Sequence, residues 1–416
     1  VPVAVSVVQT EALTKANAGD ITDLNNLGPS VNLNATINGR VPLGVRGISS
    51  NANEGTVGLA SGVAIMIDGV PVPSDAYTGN QLDDVEKVEV LKGPQATLGG
   101  RTASAGVINL VTRGPSKSFE GSVSATATTD HEYRGSLFFA GPLSDSVQGS
   151  VSAYGNTRDY PITTIASDQK TDQKTSGIRA KLRIDVSNDF DITLMAHYAK
   201  QKSDGFNFVY TYLTPGAYMF FGTSAPPLPH FVTNTVSATT LMQGVTPSWT
   251  NLSYNSPAIT GSDVKDTDGA VTLEYRLPGL TLSSTTSYLH ETQTNVQDLF
   301  AVATFFNNNL VTGFHNFFNS IGVNPYPPGS PATWAPFNNT HTQQEDVKQL
   351  TEELKVASST ESPVSCVAGF FYSDTKVGMN LTRTLTRLRW TISLSRTRRP
   401  THCTVGSPGR SRRARR

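Results

Sequence analysis

The side chains best suited to hold another molecule gather in two long stretches of this 416-residue chain. The first, 201–268, carries Tyr210, Tyr212, Phe220, Phe221 and His230, and the second, 293–346, carries Phe305, Phe306, His315 and Trp334. Rings at that density can stack on a planar or glycosidic ligand, because each offers a broad apolar face and several add a polar tip. The same composition suits a girdle at a membrane interface, or loops packed on themselves. Neither stretch sets His, Asp and Glu at metal-ligand spacing, so no bare metal and no cofactor is expected.

Covalent chemistry finds less support. No GxSxG, HExxH or paired-carboxylate constellation stands out. Cys366 and Cys403 form neither a redox nor a metal spacing, and two thiols make no disulfide framework. An enzyme is not expected.

A further group of residues matters for the backbone it permits. In "VEVLKGPQATLGGRTASAGVINLVT", residues 88–112, two β-branched runs enclose Gly93, Pro94, Gly99, Gly100 and Gly106. Upstream, "VAIMIDGVPV" sets two apolar runs around Asp68-Gly69, a strong hairpin signal because Gly69 takes positive φ at low cost. Thr10 and Asp20 stand where they would cap short helices whose apolar residues include Ile21, Leu24 and Leu27. Residues 1–117 therefore read as a small α+β domain.

Beyond it the pattern changes to long strands of period two. Ile178, Ala180, Leu182 and Ile184 fall on one face, with Arg179, Lys181, Arg183 and Asp185 on the other. Phe190 to Tyr198 and Val271 to Leu277 repeat the alternation. Nine strands are expected, at about 119–129, 132–140, 147–158, 175–185, 190–200, 269–277, 280–292, 347–358 and 363–375. Most reach the roughly 9 to 11 residues that a tilted strand needs to cross a bilayer. Short turns at 141–146, 186–189, 278–279 and 359–362 alternate with long connections at 159–174, 201–268 and 293–346, as in an outer-membrane barrel. No apolar run approaches the roughly 18 residues of a membrane helix, and the N-terminus lacks the regions of a signal peptide.

Lipid offers no hydrogen bonds, so a spanning sheet must close on itself. Nine strands cannot close by antiparallel pairing throughout, and the wall at 118–380 reads as incomplete. Residues 381–416 lose the turn pattern and carry eleven arginines with no Lys, Asp or Glu. They account for the formal neutrality of the chain, since the remainder holds 22 basic against 33 acidic residues. This end reads as an aberrant or disordered tail, such as an out-of-frame reading of a GC-rich gene, ahead of a nucleic-acid or anionic-lipid binder.

The 88–112 stretch closely resembles the plug signature of TonB-dependent outer-membrane receptors. "VRGIS" at 45–49 and "VAIMIDGVPV" at 63–72 resemble two further plug motifs in the family's order, and "QLTEELKVAS" at 349–358 with "VAGFFYSD" at 367–374 resembles a barrel strand pair. The resemblance implies an α+β plug followed by an antiparallel transmembrane β-barrel, here about 9 of about 22 strands. Its plug-motif residues would be Gly47, Asp68, Gly69, Gly93, Pro94, Gly99 and Gly106. Plug-to-barrel contacts would use Arg46, Lys92 and Arg101 against Glu353, with lysine at 92 where the family usually has arginine.

The function implied is energy-coupled uptake of a scarce ligand in the outer membrane of a Gram-negative bacterium. A ferric siderophore is the family default, and a cobalamin, a glycan or an aromatic compound remain open. TonB would be the partner, although its contact segment is expected to be missing here; outer-membrane lipid surrounds the wall and nucleic acid is not a partner. A passive porin or structural barrel would need no plug, and a truncated receptor fragment would have no function.

Overall fold

The computed structural model describes residues 4–26, 31–33, 43–45, 48–49, 62–72, 82–93, 103–165, 169–205, 209, 211, 219–222, 230–233, 245–254, 259–298, 339–358, 366–385, 388–397 and 401–404. The N-terminal domain runs β1 (Ala4–Gln9), α1 (Thr10–Lys15), a 3-10 turn (Ile21–Asn26), β2 (Val31–Leu33), β3 (Leu43–Val45) and β4 (Ile48–Ser49). It continues with β5 (Val63–Ile67), β6 (Val70–Pro71), β7 (Val85–Lys92) and β8 (Gly106–Thr112). A five-stranded sheet has the order β1-β7-β8-β5-β6, in which β5 and β8 are parallel. β2, β3 and β4 form a small sheet of their own.

All five residues of β5 are buried, as expected of a central strand covered on both faces. Val63, Ile65 and Ile67 share a core with Leu13, Ile21, Leu24, Val88, Val90, Ile108 and Leu110, while Ala64, Met66, Ala103 and Val107 make a smaller cluster. The Asp68-Gly69 hairpin is present, with φ of 50° and 82° at its two central residues and Ile67 opposite Val70. Positive φ at both positions is the turn whose twist matches its strands.

Helix capping differs from the sequence expectation. Gln9, in extended conformation, occupies the N-cap of α1, and Thr10 is the first helical residue; its hydroxyl donates instead to the carbonyl of Glu86 on β7. Ahead of the 3-10 turn, Asp23 Oδ2 accepts from the backbone N–H of Gly19 at 2.9 Å and of Asp20 at 3.0 Å.

The second part is one large antiparallel wall. It contains β9 (Glu120–Ala127), β10 (Glu132–Ser144), β11 (Val147–Thr164), β12 (Lys170–Asp185) and β13 (Phe190–Asp204). β14 (Met219–Gly222) and β15 (His230–Thr233) pair with each other, and β16 (Ser253–Tyr254) lies parallel to the end of β11. The wall resumes with β17 (Gly261–Leu277), β18 (Leu280–Asp298), β19 (Asn339–Ser358), β20 (Val367–Leu385) and β21 (Leu388–Thr397), and β22 (Thr401–Thr404) pairs with β20. Its order from one edge to the other is β21-β20-β19-β18-β17-β13-β12-β11-β10-β9.

The wall is inside-out relative to a soluble sheet. Ile178 is 49% exposed while its neighbour Arg179 is 3% exposed, and Tyr198 is 45% exposed beside His197 at 3%. Val271, Leu273, Tyr275 and Leu277 likewise point outward, whereas Asp266, Glu291 and Gln293 are buried on the inward face. Apolar outside and polar inside is the alternation that lipid demands of a barrel wall. The T-shaped Phe190–Tyr275 pair, 6.1 Å between ring centroids, and the Tyr198 and Tyr288 rings mark the two ends of the apolar band.

The strands run past the limits expected from the alternation. β11 continues to Thr164 and β12 begins at Lys170, so most of the 159–174 connection is ladder. β17 starts at Gly261, β18 ends at Asp298 and β19 starts at Asn339. The added lengths are mostly polar, with isolated apolar residues such as Ile162 and Val264, so they carry no sustained apolar/polar contrast. Backbone pairing also reaches beyond residue 380, with β20 extending to Leu385 and β21 pairing along it from Lys376↔Thr397 to Leu385↔Leu388.

Candidate functional site

Among the described residues, three carboxylates of the N-terminal domain meet basic side chains on the inward face of the wall. Asp68 sits at the tip of the β5–β6 hairpin; its Oδ1 accepts the backbone N–H of Thr112 at 2.8 Å and its Oδ2 accepts the Thr112 hydroxyl at 2.7 Å. Lys181, on β12, reaches the same Oδ2 at 2.8 Å and also donates to the carbonyl of Thr112 at 3.1 Å. The turn residue is thus pinned on one side by β8 and on the other by the wall.

Asp84 lies two residues along β12 from that contact. Its Oδ2 takes a charge-assisted hydrogen bond from Arg179 and a second from the hydroxyl of Ser152 at 3.1 Å. Both charged side chains are almost wholly buried, at 2% for Arg179 and 6% for Asp84. The spacing is a consequence of strand geometry, because Arg179 and Lys181 are two apart and must face the same way.

Asp83 faces Arg134 of β10, with Nε 3.4 Å from Oδ1. Arg134 also donates to Asn17 Oδ1 at 2.5 Å and lies 3.9 Å from Glu132. Room for this guanidinium comes from Gly19, where a Cβ would stand 1.7 Å from Nη1. Burial pushes the Asp83 carboxyl up to about 6, against the opposing pull of Arg134 and with help from neighbouring Asp84 and Glu132.

Inside the domain, Asn109 joins the hairpin to the sheet. Its Oδ1 accepts from Gly69 N–H at 3.2 Å and its Nδ2 donates to Glu89 at 3.0 Å. Glu89 in turn pairs with Lys87 at 2.7 Å, and that hydrogen bond holds the Glu89 carboxyl below and the Lys87 amine above their ordinary ranges. On the wall itself, the ring of His197 links Asp268, 2.8 Å from Nδ1, to the Tyr154 hydroxyl, 3.5 Å from Nε2. Asp266 and Glu291, both fully buried, stand directly opposite each other on β17 and β18.

The described bridges therefore run from an acidic domain to a basic wall, whereas the family resemblance implies basic domain residues against a wall glutamate. Lys92 ends β7 in register with Ala4 and Gly106, and Glu353 lies on β19 in register with Thr285 and Phe371. Neither residue is among the described plug-to-wall bridges. Gly69, Gly93 and Gly106 occupy positions that favour glycine: Gly69 and Gly93 have positive φ, and a Cβ on Gly106 would stand 2.6 Å from the carbonyl oxygen of Leu91.

Arg46, Gly47, Pro94, Gly99 and Arg101 lie outside the described residues, as do Tyr210, Tyr212, Phe305, Phe306, His315 and Trp334. Phe220, Phe221 and His230 are described by backbone only, in the β14–β15 pair with Gly222 opposite His230. Sequence reading did not single out Asp83, Asp84, Asn109 or Arg134. A signal existed for Asn109, a lone amide inside the apolar run "VINLV", and for the adjacent aspartates ahead of β7.

Residues 1–107 match the family model described as TonB-dependent Receptor Plug Domain. That match covers the N-terminal domain, and the chain as a whole is similar to TonB-dependent receptors. The N-terminal domain is a plug domain, and the inside-out wall resembles part of a TonB-dependent receptor barrel. The pesticin receptor of Yersinia enterocolitica is 38% identical over 91 residues, covering 22% of this chain and 13% of that protein. The ferripyoverdine receptor of Pseudomonas aeruginosa is 27% identical over 213 residues, covering 49% of this chain and 24% of that one. The crystal structure of the ferric yersiniabactin uptake receptor FyuA from Yersinia pestis superposes with a TM-score of 0.69 over 93% of this chain and 51% of that one, at 17% identity, a likeness of fold. The chain thus spans about half of that receptor structure and a quarter or less of these two sequence relatives.

Proposed function

We propose that this chain serves TonB-coupled uptake of a ferric siderophore across the outer membrane of a Gram-negative bacterium. The observation that carries the reading is a plug domain held to the polar inward face of an apolar-outside wall by Asp68, Asp83 and Asp84. A barrel meant for passive diffusion has no use for such a stopper. A plug gripped by ion pairs can be displaced by force and can return, because the same charges find each other again. The outer membrane has no nucleotide supply, so that force arrives through TonB from the inner membrane. Relatives named as pesticin and ferripyoverdine receptors support iron-complex uptake, and they are receptors rather than enzymes by name.

In this reading the aromatic stretches supply the ligand contacts, with Tyr210, Tyr212, Phe220, Phe221, His230, Phe305, Phe306, His315 and Trp334 as candidates. Arg46, Lys92, Arg101 and Glu353 would add plug-to-wall contacts beyond those described. The test is uptake of radioactive iron, presented as a panel of ferric siderophores, by a host stripped of its own siderophore receptors and expressing this chain. Uptake of one class that disappears when tonB is deleted is expected. Uptake that persists without TonB, or none of any iron complex from a correctly inserted protein, overturns the proposal.

A further inference from the structure

A strand interior suits asparagine poorly, because its side chain competes with the ladder for the backbone and packs little. Asn109 occupies one nonetheless. It stands on β8, between β7 and β5 in the five-stranded sheet, directly opposite Glu89 on one side and Met66 on the other. Val107 and Val111, two residues away along β8, share its face and are apolar. What a third valine could not supply is a donor and an acceptor at once. Both are used here: Oδ1 accepts from Gly69 N–H at 3.2 Å, and Nδ2 donates to Glu89 Oε2 at 3.0 Å.

These two bonds lead to opposite edges of the plug sheet. On one side Glu89 Oε1 holds Lys87 at 2.7 Å, and the two residues lie in register with Val7 and Gln9 of the edge strand β1. On the other, Gly69 N–H belongs to the same turn peptide as Asp68, whose carboxylate takes Thr112 and Lys181. Turning that peptide moves the carboxylate against the wall. A line of polar contacts thus runs from beside β1, through a single amide, to the bond between plug and wall. Such a line transmits only when its far end has two states. Asp68 supplies them, since its two bonds to Thr112 stay within the plug whether or not Lys181 of the wall is engaged.

We propose that Asn109 is a positioning residue that couples the β1–β7 edge of the plug to the latch between Asp68 and Lys181. Drawing β1 away from β7 disturbs Glu89, which lies opposite Val7; the amide then loses its acceptor, turns from Gly69 and frees the hairpin tip from the wall. The latch opens from the far side of the sheet. This coupling deepens the transport reading above and rests on it for its source of force.

The full chain, refolded in dodecyl maltoside, is to be compared with Glu89→Ala, Glu89→Gln, Asn109→Asp and the exchanged pair N109D/E89Q by hydrogen exchange at the hairpin, residues 66–71. Glu89 lies two strands from β5, yet Glu89→Ala should speed exchange in the hairpin about tenfold, the size of a modest coupling between sites. Glu89→Gln ends the Lys87 ion pair but keeps an acceptor for Asn109, and should leave the hairpin as it was. Asn109→Asp sets two carboxylates against each other and should act like Glu89→Ala. The exchanged pair should reverse this, because the new amide at 89 donates to the new carboxylate at 109, whose other oxygen still accepts from Gly69. A purely structural role would instead make the two losses add. A hairpin indifferent to Glu89→Ala, or an exchanged pair as fast as Asn109→Asp, would overturn the proposal. A heat-shifted gel band checks folding; should Asn109→Asp fail to fold, the contrast between Glu89→Ala and Glu89→Gln decides alone. In cells, Asn109→Asp should lower the maximal rate of iron uptake by a similar factor at unchanged half-saturation, and an unaltered maximal rate would also overturn the proposal. If the unaltered chain shows the hairpin coupling but no TonB-dependent uptake, the transport reading fails and the coupling stands.

Discussion

Arg179 of the wall and Asp84 of the plug are buried against each other, and Ser152 of the neighbouring strand donates to the same carboxylate oxygen at 3.1 Å. Removing either charge leaves the other stranded in a site that water does not reach. Asp84→Ala and Arg179→Ala should each cost about 3–5 kcal/mol of plug stability, whereas replacing both by apolar residues of similar volume should recover most of it. A double-mutant cycle by urea unfolding in detergent measures this; additive losses would show that the pair is not coupled.

The pH dependence of the plug should carry the mark of Asp83. Its folded carboxyl lies at about 6, above the ordinary value of 3.8, because burial outweighs Arg134. A raised acid binds more protons folded than unfolded, so its stabilising contribution is complete below 3.8 and is lost as pH climbs through about 6. Asp83→Asn should flatten that fall, worth on the order of 2 kcal/mol, in melting curves taken between pH 4 and pH 8. An unchanged slope in the variant would assign the pH dependence to other groups.

How far the sequence disclosed this arrangement differs from residue to residue. The hairpin at Asp68-Gly69 was legible because one dipeptide satisfies a demand for positive φ at both turn positions. The inward setting of Arg179 and Lys181 followed from period two alone. Their partners were hidden, since the chain separates Arg179 from Asp84 by 95 residues and no local rule pairs them. The strand ends beyond Arg158 and before Thr175 were hidden for another reason: above the apolar band the outward face turns polar, and Tyr160 and Ile162 of β11 are too few to sustain an alternation.

Gly106 is the plug glycine with least tolerance for change. It stands on β8 opposite Lys92, and an added Cβ would meet a backbone oxygen of β7 at 2.6 Å, an atom that cannot rotate away. Gly106→Ala should therefore cost roughly 1–3 kcal/mol by forcing the two strands apart. At Gly19 the obstructing atoms are the tip of Arg134, so Gly19→Ala should spare the fold but displace the guanidinium from Asn17 and Asp83. Hydrogen exchange along β7 and β8 distinguishes the two, with faster exchange expected in Gly106→Ala only.

The orientation of the wall makes the sharpest demand on lipid. Leu194 points outward from the middle of β13, on a shallow apolar surface shared with Phe139, Leu143, Val151, Ala180 and Ala196. In water a surface leucine changed to arginine is nearly free of cost, while in a bilayer the same change at mid-band costs about 2–4 kcal/mol. Leu194→Arg should accordingly lower folding yield into vesicles, and Asn188→Arg, in the exposed turn between β12 and β13, should not. The readout is the heat-shifted fraction after refolding into phosphatidylcholine vesicles. Equal yields for both variants would mean that this face never meets hydrocarbon, and the apolar band would then need a protein to cover it.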